Sequence, residues 1–77
     1  MNKKEQGEEM KNKYHYDYIT THVVGDRKAE VFIRFPDKVY GIEMYEHDTM
    51  LKREVYKSKS EQWAQDAAEN FVFGIKN

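Results

Sequence analysis

Between Tyr14 and Tyr56 valine, isoleucine, tyrosine, phenylalanine and threonine dominate the chain, which is strand chemistry. Three turn signals divide this stretch. Gly25-Asp26 follows Val23-Val24, Pro36-Asp37-Lys38 ends the second apolar run, and His47-Asp48-Thr49 ends the third. Proline cannot donate to a ladder, so it marks the end of a strand and not its middle. The pattern predicts strands over 15–24, 28–35, 39–46 and 51–57, and short connections favour an antiparallel meander. After Tyr56 the period changes. Trp63, Ala67 and Phe71 recur at helical spacing, with Ala64, Ala68, Val72 and Ile75 on the adjoining ridge. Together they form the apolar stripe of one amphipathic helix. Trp63 and Phe71 should supply most of its buried area. Ser58 and Glu61 have the spacing of a capping box, which predicts a start near Lys59, and Gly74 is placed to end the helix.

Residues 1–13, MNKKEQGEEMKNK, hold only Met1 and Met10 as apolar side chains. That is too little to offset the entropy of ordering them. The expected organisation is a disordered charged arm over 1–13 and a single ββββα domain over 14–77. The fold class is α+β: a four-stranded antiparallel β-meander with one C-terminal α-helix packed on one face.

Turn lengths set which residues share a face. A two-residue loop at Pro36-Asp37 places Ile33 opposite Tyr40, Val31 opposite Ile42 and Ala29 opposite Met44. A two-residue loop at Asp48-Thr49 places Ile42 opposite Val55 and Glu46 opposite Leu51. These registers give the helix an apolar face of Ala29, Val31, Ile33, Phe35, Tyr40, Ile42, Met44, Leu51 and Val55. The other face carries Glu30, Phe32, Arg34, Gly41, Glu43, Tyr45, Lys52, Glu54 and Tyr56. Phe32 and Tyr56 then flank Gly41, and an aromatic ring beside a strand glycine covers bare backbone. The first strand stays open. A loop of Gly25-Asp26 turns Tyr14, Tyr16 and Tyr18 toward the helix, and adding Arg27 to the loop turns them outward.

Composition narrows the functional classes. Of 77 residues, 39% are apolar and 35% charged, which allows a compact domain with a thin core. There is no cysteine, hence no disulfide and no thiolate zinc site, as fits a reducing cytoplasm. No apolar run approaches the roughly 20 residues that cross a membrane, and the N-terminus lacks the apolar region of a secretory signal. The 13 basic and 14 acidic residues give a net charge of −1, so there is no global electrostatic footprint for nucleic acid.

The predicted registers align Glu30, Glu43 and Glu54 across three strands, with carboxylates about 5 Å apart. Like charges so placed repel. They splay into water, bind a cation through oxygen, or meet a basic surface on a partner. Flanked by Phe32, Tyr45 and Tyr56, this acidic stripe is the candidate partner-binding surface. His15 with Asp17, and Glu43 with His47, share faces without the spacing of a known metal site. No metal or cofactor is expected. Nor is catalysis, because no activated nucleophile, P-loop or phosphate-binding glycine turn is present.

Two resemblances bear on function. GDRKAEVFIRF, DKVYGIEM and KSKSEQWAQDAAENF resemble the later part of a double-stranded-RNA-binding domain. The lysine cluster at the start of that family's last helix is replaced here by Lys57 and Lys59, followed by Glu61, Asp66 and Glu69. The ending WAQDAAENFVFGI resembles the C-terminal helix of small bacteriophage early and anti-defence (anti-CRISPR-like) proteins. That resemblance implies a phage-encoded inhibitor in the host cytoplasm, docking on a host protein or nucleoprotein with a basic surface. The alternatives are a nucleic-acid-binding module, reading bases with sheet aromatics, and a homo-oligomer that buries the open face.

Overall fold

The computed structural model describes residues 14–74. The arm expected over 1–13 lies outside them, as does Ile75. Four strands, β1 (His15–Val24), β2 (Arg27–Phe35), β3 (Val39–Glu46) and β4 (Thr49–Tyr56), precede one helix, α1 (Glu61–Phe73). The strands form a single antiparallel sheet in the order β1-β2-β3-β4. This is the expected α+β meander.

β2 and β3 pair in the expected register, with Val31 opposite Ile42, Glu30 opposite Glu43 and Phe32 opposite Gly41. The other two pairings each contain a bulge. Before β4 the two-residue turn is His47-Asp48, not the expected Asp48-Thr49, with φ of 53° and 65°, the double positive φ that suits a two-residue hairpin. Glu46 therefore pairs with Thr49 and Tyr45 with Met50, but Met44 pairs with Lys52, which leaves Leu51 unpaired. One extra residue reverses the facing of everything beyond it. Glu54 thus lies opposite Ile42, Tyr56 opposite Tyr40, Arg53 opposite Glu43 and Val55 opposite Gly41. The expected placement of Leu51 and Val55 under the helix, and of Glu54, Tyr56 and Lys52 away from it, is overturned.

β1 combines both expected alternatives. Its loop is the two-residue Gly25-Asp26, with Val24 opposite Arg27 and His22 opposite Ala29. Ile19 is then unpaired, and Tyr18 lies opposite Phe32. The bulge sends Thr20 and His22 to the helix side and Tyr16 and Tyr18 to the other.

Helix α1 lies over β2, β3 and β1. Ala64, Ala68 and Val72 are its buried residues, and they close a core with Ala29, Val31 and Ile42. Small side chains on both sides bring helix and sheet together. Trp63 is not buried as expected: half of its surface stays exposed. The cap also differs from expectation. Ser60, not Ser58, is the N-cap, its Oγ accepting from the Trp63 amide at 3.3 Å. Ser58 has φ of 65° and belongs to the turn before the helix. Gly74 ends α1 in the left-handed conformation, as expected. Arg27 holds that end from β2, donating from Nη1 to the Phe71 carbonyl at 3.0 Å and lying 5.2 Å from the Phe71 ring centroid. A cation there adds a second donor to a carbonyl that already accepts from the Gly74 amide at 3.1 Å, and it complements the helix dipole.

Candidate functional site

The sheet face away from α1 closes over itself. Phe32 is fully buried on this side although no helix covers it. Tyr16 and Tyr18 pack edge-on against its ring, with centroids at 5.1 and 6.1 Å, and Gly41 beneath leaves it room to lie on the backbone. Beside it Glu43 is 3% exposed. Its carboxylate accepts from Tyr18 Oη at 2.9 Å, Tyr45 Oη at 3.0 Å, and Arg53 Nε and Nη2 at 3.0 and 2.9 Å. Arg53 in turn lies 4.7 Å from the Tyr16 ring centroid, and Lys28 lies 4.5 Å from that of Tyr45. Four donor contacts satisfy a buried anion that would otherwise be costly.

The expected acidic stripe is therefore not formed. Glu30 and Glu43 are opposite each other on this face, but Glu43 is enclosed by its donors. Glu30 accepts from Thr21 Oγ1 at 2.7 Å and lies 3.7 Å from Lys28 Nζ. Arg53 takes the position expected for Glu54, so attraction replaces the expected repulsion. Phe32 and Tyr45 stay on the open face as structural members of its cluster. Tyr56 leaves it, packs against the helix-side core, and donates from Oη to Glu54 at 2.7 Å. His15 is engaged with Asp17 at 2.6 Å and His47 faces Asp26 at 3.6 Å. Among the described residues no group of three or more His, Asp or Glu side chains is placed to hold a metal ion. No helix among them is long and apolar enough to cross a membrane.

The same bulge that dismantles the stripe turns Glu54 and Tyr56 toward a groove on the helix side. Because α1 leans toward β1, the helix side of β4 is left uncovered. A cleft of about 440 Å³ runs between the two, floored by Ile42, Met44 and Tyr56 and walled by Trp63, Ala67 and Phe71 of α1. Glu54, Asp66 and Asn70 supply its polar atoms. Lys52 Nζ lies 3.0 Å from Glu54 Oε2. Donation from Tyr56, with Lys52 nearby, holds the Glu54 carboxyl below its ordinary range, so it is an anion at neutral pH. Lys59 Nζ lies 4.2 Å from the Trp63 ring centroid, so the indole already receives a cation from within the chain. Sequence reasoning reached Glu54 and Tyr56 but assigned them to the wrong face. It missed Trp63 and Asp66 as site residues, because an apolar helix stripe reads as core wherever the sheet is assumed to reach it.

Both carboxylates set an alkaline limit on stability. Burial and donation to Glu43 push the Tyr18 hydroxyl up to about 12 and raise Tyr45 for the same reasons. Burial and Glu54 raise Tyr56. An unfolded tyrosine ionises near pH 10, about its ordinary value. The stabilisation is thus fully present below that pH. It is lost above it, as the unfolded chain sheds protons that the native state retains. The melting temperature is expected to be level from neutral pH to the ordinary tyrosine range and to fall above it. Glu43→Gln should weaken that fall, and a flat profile through the tyrosine range contradicts the network.

Comparison with known protein families, curated proteins and solved structures gives no match to this chain.

Proposed function

We propose that this chain is a non-catalytic protein-binding module that receives a basic, partly apolar segment of a partner in the groove between α1 and β4. The observation that carries the reading is Trp63, held half-exposed beside Phe71 and Tyr56 over an apolar floor, with the Glu54 and Asp66 carboxylates at the margins. An aromatic wall accepts a lysine or arginine head over its face. Nearby carboxylates pair with that head, and the floor takes apolar neighbours. The partner chemistry is the one expected from the sequence, a basic surface, but the docking site moves from the open face to the helix side. Stoichiometric inhibition of a host protein, as the phage anti-defence resemblance implies, is one use of such a groove.

A second reading, nucleic-acid binding on the open face, draws support from three cation–aromatic pairs there: Lys28 with Tyr45, Arg34 with Tyr14 and Arg53 with Tyr16. Each of these cations also has a carboxylate partner, in Glu30, Asp37 and Glu43. A phosphate would have to displace all three. A cation entering the groove displaces Lys59 from Trp63 and Lys52 from Glu54 but also gains the apolar floor, which makes the open face the weaker reading.

Selection from a random displayed-peptide library on the full chain tests both. The expected consensus is lysine or arginine flanked by large apolar residues. Trp63 is the only tryptophan, so a selected peptide should shift its emission. Trp63→Ala and Glu54→Lys should each weaken binding about tenfold or more, the equivalent of 1.4 kcal/mol. Selection of uncharged peptides, or none, contradicts the groove. Salt-dependent binding of DNA or RNA oligonucleotides without peptide enrichment would favour the second reading.

A further inference from the structure

Among the described residues both edges of the sheet present unpaired backbone, but they are not equally protected. β4 carries Lys52, Arg53 and Glu54 in sequence, together with the Leu51 bulge. Charged side chains and bulges are how proteins block strand addition at an edge. β1 is the longest strand of the sheet, at 10 residues, and from Tyr18 to Val24 it reads YITTHVV, without a lysine, arginine, aspartate or glutamate. Tyr18, Ile19, Val23 and Val24 are exposed large apolar side chains along it. Its only break is at Ile19, which leaves Thr20–Val24 as five residues in regular register with β2, close to the usual length of a strand.

We propose that this edge binds a second copy of the same chain, β1 pairing antiparallel with β1 across a two-fold axis to give one continuous sheet. The occupant is argued from three observations. A strand edge with free N–H and C=O groups is satisfied by another strand. An uncharged segment pairs antiparallel with itself without bringing like charges together, whereas two β4 edges centred on Arg53 would set that guanidinium against its own copy. And the protomer has a thin core: among the described residues the largest fully buried side chains are Phe32, Ile42 and Val31. A chain of this length commonly gains its missing stability by association. Pairing through β1 is isologous and uses each copy's β1 once. The remaining edges are the charged, bulged β4 strands, so growth stops at the dimer. The groove, on the far side of each protomer, is left free, and each dimer presents two.

Sedimentation equilibrium of the full chain tests this, from about 1 to about 200 μM, the range in which a weak dimer forms. The apparent mass is expected to rise from 9.3 kDa to twice that value. Val23→Glu puts a carboxylate on the edge opposite Lys28 of its own protomer, which supports the fold while charging the interface. It should stay at the monomer mass throughout, with the circular dichroism of the wild type. Thr21→Lys, opposite Glu30, gives the same test from a second position should the first variant fold poorly. A wild type that stays monomeric, a dimer that neither variant weakens, or growth past the dimer overturns the proposal.

Discussion

Glu43→Ala is expected to lower the unfolding free energy by about 3 kcal/mol, the low end of what breaking a buried ion pair costs. The low end applies because the Arg53 side chain is 41% exposed and Tyr18 is itself exposed, so both can be rehydrated, whereas half-buried Tyr45 loses its acceptor with less access to water. Phe32 should suffer as well, since Tyr18 is fixed both by Glu43 and by the Phe32 ring. Urea titration measures the loss. Arg53→Ala alone should cost less than Glu43→Ala, because two tyrosine donors remain on the carboxylate. The double variant should cost less than the sum of the two singles, since the partners share one network. Additive losses would show that Glu43 and Arg53 act separately and that the open face is not one cluster.

Gly41→Ala should be more damaging still. A Cβ there would collide with the Glu54 carbonyl oxygen and stand 2.7 Å from Phe32 Cζ. The carbonyl belongs to the neighbouring strand and cannot rotate away. Relief requires β3 and β4 to separate, so the loss should exceed the usual cost of overpacking, about 1–3 kcal/mol. A total near 4 kcal/mol is expected, a large part of the stability of a domain of this kind. Trimming the ring in Gly41→Ala, Phe32→Leu should recover little, because the carbonyl collision remains. Full recovery in the double variant would place the constraint in Phe32 alone.

The element order, the β2–β3 register and the apolar side of the helix were legible in the sequence, because turn residues and periodicity act locally. The two edge-strand registers were not. Each turns on a single unpaired residue, Leu51 in β4 and Ile19 in β1, and neither bulge carries a glycine or proline to announce it. One physical signal was nevertheless present. Facing Glu43 with Glu54 is unfavourable, and shifting β4 by one residue replaces that repulsion with the Glu43–Arg53 pair. The same shift moves Glu54 and Tyr56 to the groove. The role of Ser60 as N-cap was hidden for a simpler reason: Ser58 two residues earlier offered a more complete capping pattern with Glu61. Trp63 has the spacing of a core position with Ala67 and Phe71. Its exposure follows from where α1 sits on the sheet, which periodicity does not specify.

The most direct test of the groove is chemical-shift mapping on the full chain, titrated with a lysine- or arginine-bearing peptide taken from selection. The shifts are expected to concentrate at Trp63, Asp66, Ala67 and Phe71 of α1 and at Glu54 and Tyr56 of β4, with Tyr18, Phe32 and Glu43 unmoved. Shifts gathered instead around Tyr16, Tyr18 and Arg53 would place binding on the opposite side of the sheet and contradict the docking groove.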